Sequence, residues 1–272
     1  MTPLPPHIML VGCGKMGQAL AACWQRGTHA PLLTIIDPHP LPTSLQHADY
    51  APSLTDYAPT HPVHAFVLAV KPQAMKMVLR DLKPHLTSDT LVLSIAAGIP
   101  CATYLDMLGT HTPFVRAMPN TPAEIGQGIA AAYTPMPLPR ALHDLADTLL
   151  RATGDCVWVT QEADFDAITA LSGSGPAYVF HMIEAMESAG IAAGLSPDIA
   201  IKLARQTVIG SAALAAVTPD HSPATLRMAV TSPQGTTESG LNVLMDKEAG
   251  LTPLMIRTIA AAASRSKALR NS

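Results

Sequence analysis

Short apolar runs and amphipathic segments alternate along the first 160 residues of the chain. Apolar runs bounded by glycine, proline and polar residues predict buried strands, and several of the segments between them have the 3.6-residue period of helices. The predicted strands are 7–11, 32–36, 65–70, 91–95, 113–118, 129–133 and 156–159, and the clearest helices are 72–82 and 139–151. Strands that alternate with helices throughout predict an α/β domain with a doubly wound sheet.

From Glu162 onward the pattern predicts helices alone. Ser-Pro or Thr-Pro pairs predict four helix starts, because the hydroxyl caps the first turn and proline needs no N–H partner there. These pairs are 196–197, 222–223, 232–233 and 252–253. Two further helices are predicted at 163–171 and 176–193, interrupted by Ser172-Gly-Ser-Gly175. Alanine and methionine occupy several helical faces, which predicts packing against a second copy of the chain.

The predicted fold class is therefore α/β with two domains. An N-terminal Rossmann-like domain spans residues 1–160, and an all-α C-terminal dimerisation domain spans residues 161–272.

Composition narrows the possible functions. Charged residues make up 14% and hydrophobic residues 48% of the chain, the net charge is -3, and no basic run supports nucleic-acid binding. The four cysteines show no C-x-x-C pair and no Cys/His cluster at metal spacing, so we expect reduced thiols and no metal. Residues 1–6 lack the features of a signal peptide, and apolar stretches such as 91–99 are too short to span a bilayer. We expect a soluble cytoplasmic protein.

A glycine-rich turn follows the first predicted strand. Gly12-Cys-Gly-Lys-Met-Gly17 matches G-x-G-x-x-G between a strand and a helix. In this motif Gly12 makes the tight turn, Gly14 lets a pyrophosphate approach the backbone, and Gly17 allows close helix–strand packing. With Lys15 and Met16, the turn predicts a dinucleotide site, the alternative being a glycine-rich turn in another kind of α/β protein.

The second predicted strand ends at Asp37, where such sites place an acid against the adenosine ribose. A carboxylate there accepts from the 2′-OH of NAD and repels the 2′-phosphate of NADP, which His39 would partly offset if it faced the phosphate. Alternatively, Asp37 only forms a turn with the following Pro38 and His39. The prediction is NADP or NAD, with the carboxylate favouring NADH slightly.

The next strand ends carry further candidates. Strand C-termini meet the ligand in open α/β sheets, so we expect Ala69-Val70-Lys71-Pro72 to line the cofactor crevice, and the small residues Ala96 and Gly98 to admit the nicotinamide ribose. Lys71 is either a charge on the cofactor or a solvated side chain. Asn120, between two prolines, either binds the substrate or nicotinamide amide or forms a structural turn.

One stretch of the helical half predicts an anion site. In Thr231-Ser-Pro-Gln-Gly-Thr-Thr-Glu-Ser-Gly-Leu241, Ser232 is a predicted N-cap and Pro233 the first helical residue. Residues 234–237 then present backbone N–H groups and two hydroxyls at the positive end of a helix, which suits a carboxylate. The alternative is simply a well-capped helix.

Four segments together resemble the pyrroline-5-carboxylate reductase family. They are Ala69-Val-Lys-Pro72, Arg116-Ala-Met-Pro-Asn-Thr-Pro-Ala123, Leu171-Ser-Gly-Ser-Gly-Pro-Ala-Tyr178 and Val230-Thr-Ser-Pro-Gln-Gly-Thr-Thr237. The resemblance covers nearly the whole chain and implies a Rossmann domain with a helical dimerisation domain, in homodimers that often build larger rings. It also implies hydride transfer from NAD(P)H to 1-pyrroline-5-carboxylate, giving L-proline in the last step of proline biosynthesis.

The resemblance implies roles for individual residues. Thr237 matches the threonine at the substrate imine nitrogen, and Ser232, Gly235 and Thr236 match the loop that holds the substrate carboxylate. Glu162 resembles an acid near the substrate, and Asp220 stands where the family commonly has glutamate.

Two departures accompany the resemblance. Gln234 replaces a usual glycine, and Arg227-Met-Ala-Val230 lacks acidic or amide residues often found there. The eleven histidines are expected at the surface, none of them essential. Two other functions remain open: a noncatalytic dinucleotide-binding regulatory homo-oligomer, and a hydroxy-acid dehydrogenase in which Lys202 would be the catalytic lysine.

Overall fold

The computed structural model describes residues 5–26, 30–57 and 61–270. Residues 1–4 of the segment analysed for a signal peptide lie outside this range. The chain divides into two compact units: the first is Met1–Ser174 with Ala262–Ser272, and the second is Gly175–Ala261.

The first unit is built on one eight-stranded sheet in the order β3-β2-β1-β4-β5-β6-β7-β8. All neighbouring strands are parallel except β6 and β7, which are antiparallel. The strands are β1 His7–Val11, β2 Leu32–Ile36, β3 Asp49–Ala51, β4 Ala65–Leu68, β5 Leu91–Ser94, β6 Phe114–Met118, β7 Gly128–Tyr133 and β8 Gly154–Trp158.

Helices cover both faces of this sheet. They are α1 Lys15–Arg26, α2 Pro72–Leu82, α3 Cys101–Leu108 and α4 Arg140–Arg151. Alternate β1 residues enter different cores, since Ile8 packs into the cluster containing α1 and α4, and Met9 into the cluster containing α2 and α3. Burial of both faces explains why the strands have continuous apolar sequences.

The Rossmann-like fold is confirmed, with three differences in detail. Strand β3 was not predicted, because three residues with two exposed side chains give no apolar run. Strands β6 and β7 are joined by the 3₁₀ helix Thr121–Ile125 and run antiparallel, so the expectation that helices alternate with strands throughout is wrong. The predicted break at 172–175 is shorter than expected: Ser172 and Gly173 belong to a π-helical turn, Thr169–Gly173, and only Ser174 separates this turn from the next helix. The turn follows the short helix α5, Phe165–Ile168.

The second unit contains helices alone. They are α6 Gly175–Ala192, α7 Pro197–Val217, α8 Pro223–Ala229, α9 Thr236–Leu244 and α10 Leu251–Arg270, of which the part from Ala262 is counted with the first unit. Helices α6 and α7 pack closely where Gly190 faces Ala200. By length and composition alone the described helix α7 could cross a membrane, although Asp198, Lys202 and Arg205 interrupt its apolar sequence.

Two of the four predicted helix starts are confirmed, although the Ser196 hydroxyl makes no capping hydrogen bond. Ser196 and Ser222 are N-caps followed by proline, and the Ser222 hydroxyl accepts from the Thr225 N–H at 3.1 Å. The other two predictions are wrong: α9 begins at Thr236 with Gly235 as its N-cap, and α10 already begins at Leu251.

Candidate active site

The glycine-rich turn has the close contacts that its glycines predict. Gly12 has φ 97°, and a Cβ there would lie 2.8 Å from the Ala69 carbonyl. A Cβ on Gly17 would overlap the Gly12 carbonyl oxygen. Both glycines are therefore required by contacts within the chain, whether or not a ligand is bound. A Cβ on Gly14 would meet no described atom within 4 Å. Gly14 therefore leaves open space beside the backbone, the condition for close approach of a pyrophosphate.

Asp37 is bound to this turn. Its Oδ2 accepts the Cys13 N–H at 2.7 Å, while its Oδ1 accepts the His39 N–H at 2.9 Å and lies 3.1 Å from His39 Nδ1. The contact to His39 is the turn interaction that was the alternative interpretation, and the contact to Cys13 directs the carboxylate toward the glycines. Burial, followed by the Asp37 charge, raises the pKa of the Cys13 thiol to about 11.

Two strand ends lie at the same edge as the glycine turn, because β1, β4 and β5 are parallel neighbours. After β4, the Ala69 N–H donates to Val11 at 2.8 Å, Val70 is half-buried, and exposed Lys71 precedes Pro72 at the start of α2. After β5, Ala96 is buried and Gly98 has φ 78° with no described atom within 4 Å of a Cβ. Exposed Lys15 and half-buried Met16 open α1.

Glu162 takes part in an internal network that the sequence did not predict. Its Oε1 accepts from Arg116 Nη1 at 2.6 Å and from the Cys101 N–H, at the start of α3, at 2.7 Å. Arg116 is only 4% exposed and stacks 4.3 Å above the Phe165 ring. Burial would raise the pKa of the Glu162 carboxyl, but the Cys101 and Arg116 contacts outweigh it and lower the pKa.

Asn120 also has internal partners. Its Oδ1 accepts the Ile129 N–H at 2.9 Å, and its Nδ2 donates to the Ser172 carbonyl in the π-helical turn at 3.3 Å. With 9% exposure, the side chain joins three segments of the first unit. These contacts favour the structural interpretation of Asn120 over direct substrate binding.

The candidate anion loop lies in the second unit. Ser232 to Gly235 form a turn closed by the Gly235 N–H and the Ser232 carbonyl at 3.0 Å, with Gln234 at φ 58°. The Glu238 carboxylate accepts the Gln234 N–H at 2.7 Å. Within the described chain, the backbone N–H groups of Thr236, Thr237 and Glu238 and both threonine hydroxyls make no hydrogen bond. The start of α9 thus keeps free donors at its positive end.

Two other expectations have different outcomes. Asp220 is an exposed residue of the loop between α7 and α8, with no contact to the anion loop among the described hydrogen bonds and ion pairs. The expectation that all histidines lie at the surface is wrong for His7, which is 3% exposed and has its Nε2 2.8 Å from Thr34 Oγ1.

Two residues missed by sequence reasoning had detectable signals. Arg116 is a lone charge inside an apolar strand, and a buried charge requires a partner. Glu238 follows the cap residue by three positions, the spacing at which an acid reaches back to cap a helix.

Comparisons with known proteins agree with this two-part arrangement. Residues 162–269 match the family model for pyrroline-5-carboxylate reductase dimerisation, and residues 7–98 match the model for NADP oxidoreductase, coenzyme F420-dependent. A pyrroline-5-carboxylate reductase from Pseudomonas aeruginosa is 39% identical and covers 97% of each chain. One from Pisum sativum is 38% identical, covering 95% of this chain and 94% of the relative.

Solved structures give the same result. A pyrroline-5-carboxylate reductase from Coxiella burnetii has a TM-score of 0.89 at 33% identity, covering 97% of this chain and 98% of the other. A pyrroline carboxylate reductase from Plasmodium falciparum, solved with NADP bound, has a TM-score of 0.82 at 28% identity and covers 98% of this chain and all of the other.

Proposed function

Because the chain belongs to the pyrroline-5-carboxylate reductase family, we propose that it reduces 1-pyrroline-5-carboxylate to L-proline. Members of this family are NAD(P)H-dependent oxidoreductases, and the dimerisation model over 162–269 indicates an oligomer. We assign residues 1–160 to cofactor binding and residues 161–272 to substrate binding and dimerisation. A homodimer that assembles into a ring, acts in the cytoplasm and binds neither membrane nor nucleic acid belongs to the same proposal.

The start of α9 carries the proposal. Three free N–H groups and two free hydroxyls at a helix N-terminus can bind a carboxylate and still leave one hydroxyl for the ring nitrogen of the substrate. We assign the carboxylate to Ser232, Gly235 and Thr236, where Thr236 supplies a free N–H and the Gly235 N–H is bonded within the turn. A Cβ on Gly235 would overlap the Ser232 hydroxyl and lie 3.0 Å from the Ser232 carbonyl oxygen, so a side chain there would force Ser232 to shift.

The reduced nicotinamide, when bound, supplies the hydride that the imine carbon, C2 of 1-pyrroline-5-carboxylate, accepts. We assign cofactor binding to the Gly12–Gly17 turn, Asp37, residues 69–72, Ala96 and Gly98. Thr237 donates a hydrogen bond to the imine nitrogen or orients the donor of its proton. Because a hydroxyl is a weak acid, orientation of the substrate contributes more to the rate than proton transfer.

Two acidic or amide residues have positioning roles in this proposal, and a third is assigned to the substrate region. Glu162 holds the start of α3 through the Cys101 N–H, beside the loop that carries Gly98, and Asn120 holds the π-helical turn. Asp220, exposed in its own chain, is assigned to the substrate region.

The test measures oxidation of NADH and NADPH by purified protein with pyrroline-5-carboxylate. We expect turnover with the wild type and a loss of about ten- to a hundredfold in Thr237→Ala, at or below the low end for acid–base assistance because the hydroxyl is a weak acid. Thr237→Ser, which retains the hydroxyl, is the matched control and should keep most of the activity. Cofactor binding without wild-type turnover would favour the noncatalytic alternative, and full activity of Thr237→Ala would remove Thr237 from the mechanism.

A further inference from the structure

The Asp37 carboxylate is held in one orientation by groups on two sides. The Cys13 N–H binds Oδ2, and the His39 backbone and ring bind Oδ1, while the side chain is only 15% exposed. Turning the carboxylate away from the glycine turn would break the 2.7 Å bond to Cys13. The orientation is therefore part of the turn and does not depend on a ligand.

The remaining hydrogen-bonding capacity of this carboxylate suits a hydroxyl donor. A carboxylate has about four acceptor positions, and the Cys13 and His39 groups use three. The open position is on Oδ2, the oxygen that faces the glycine turn. A ribose 2′-OH can donate there, whereas a 2′-phosphate has only acceptor oxygens and adds negative charge.

The segment that follows Asp37 offers little positive charge to compensate for that repulsion. Sites for a 2′-phosphate commonly use an arginine near the end of the second strand. No lysine or arginine occurs between Asp37 and Val70, and Asp49 and Asp56 add negative charge to that segment. His39, the nearest candidate cation in the segment, has its Nδ1 paired with Asp37 itself.

From these observations we infer that Asp37 makes this chain prefer NADH over NADPH. The inference rests on the proposed cofactor site and gives Asp37 the role of a specificity-determining residue. It contrasts with the NADP bound by the Plasmodium falciparum structure.

The test is the binding of each cofactor without substrate, followed by nicotinamide fluorescence or calorimetry. We expect the wild type to bind NADH at least about tenfold more tightly than NADPH, the effect of one repulsive charge pair near a protein surface. Asp37→Asn should reduce this ratio to near one, by weakening NADH and strengthening NADPH. Asp106→Asn, an equal charge change at an exposed position of α3, should leave the ratio unchanged.

The possible outcomes separate this inference from the proposed reaction. Equal or tighter binding of NADPH to the wild type overturns the inference even if both cofactors support turnover. An unchanged ratio of NADH to NADPH affinity in Asp37→Asn also overturns it. If that variant does not fold, the ratio measured for the wild type decides alone. Tighter NADH binding without turnover supports the role of Asp37 while the reductase assignment fails. Absence of binding by either cofactor overturns both.

Discussion

The two units of the chain differ in how they bury apolar side chains. In the first unit whole strands are buried, and residues such as Ile8, Phe66 and Leu91 are at most 1% exposed. In the described part of the second unit only Ala200 and Ala204 are buried hydrophobic residues, although exposed leucines, isoleucines and methionines are numerous. The first unit thus contains its own core, and the second has the apolar surface but no core of its own.

This difference explains the unusual composition of the chain. An apolar helical surface of this extent is typical of an obligate interface rather than of a free surface. A second copy of the same surface would bury it, as the match to a dimerisation model indicates. The membrane-like composition of α7 has the same explanation, since an interface helix and a membrane helix both expose apolar side chains in an isolated chain.

The largest predicted effect comes from placing charge on the helical surface. Ile199 and Leu203 are 50% and 55% exposed and one helical turn apart on α7, so Ile199→Glu/Leu203→Glu would bury four unpaired carboxylates in a dimer. We expect loss of the dimer, loss of activity and a strong decrease in thermal stability. Sedimentation and circular dichroism measure these changes.

The control for this prediction lies in the first unit. Met77 on α2 is 60% exposed. Met77→Glu should change neither the mass of the oligomer measured by sedimentation nor the melting temperature. A dimeric double variant of α7 with normal stability would show that this part of the surface is not the interface.

The second prediction concerns the core of the first unit. Arg116→Met would leave the Glu162 carboxylate without its buried cation, and breaking a buried ion pair from one side costs about 3–5 kcal/mol. We expect the low end of this range, because the Glu162 side chain is 28% exposed. Urea denaturation followed by tryptophan fluorescence measures the free energy of unfolding.

Two variants make this prediction specific. Arg116→Lys keeps the charge and should recover part of the loss, and adding Glu162→Gln to Arg116→Met removes the stranded charge and should recover more. If Arg116→Met unfolded as the wild type does, the pair would have no role in stability.

Sequence reasoning was most successful where neighbouring residues determine structure. The bounds of β1 and β2 and the proline start of α2 were predicted because apolar runs and proline geometry are local properties. The antiparallel pairing of β7 and the burial of His7 depend on residues far away in sequence, which a single sequence does not bring together.

The candidate site shows the same limit. The glycine turn was predicted correctly as a strand–turn–helix element, because the spacing of its glycines is a local property of the sequence. The structure shows the close contacts that require Gly12 and Gly17. The helix start at Ser232 was wrong, because Gln234 adopts a positive φ that delays the helix to Thr236. The network of Glu162 joins residues 46 and 61 positions apart, and no local pattern identified both partners.

A third, smaller effect is the pH dependence of the first unit. Burial lowers the pKa of His7 below its ordinary value of 6.5, while its neighbours include Asp49, His61 and His64. As pH falls below that value, the unfolded chain takes up a proton that the folded chain resists, so stability decreases with falling pH. His7→Gln should reduce the loss between about pH 7.5 and about pH 5, as measured by urea denaturation. Parallel profiles for the two proteins would contradict the role of His7.

The smallest effect concerns the backbone of the anion loop, which differs from that of the glycine turn in the first unit. All described positive-φ positions in the first unit are glycines, whereas the anion loop of the second unit places Gln234 at φ 58°. A side chain at such a position costs about 1 kcal/mol or more. The Glu238 carboxylate, which accepts the Gln234 N–H, offsets this cost by holding the turn closed. A glycine at this position would need no such support.

A double-mutant cycle tests this dependence. Glu238→Ala should raise the KM for pyrroline-5-carboxylate about fivefold. This corresponds to a loss of about 1 kcal/mol in the free energy of substrate binding, because the loop is less ordered. The same change in a Gln234→Gly background should have a clearly smaller effect, because glycine adopts the positive φ unaided. Glu238→Gln keeps an acceptor and serves as the matched control. If Glu238→Ala had the same effect in both backgrounds, Glu238 would act on the substrate or the helix start and not through the backbone of Gln234.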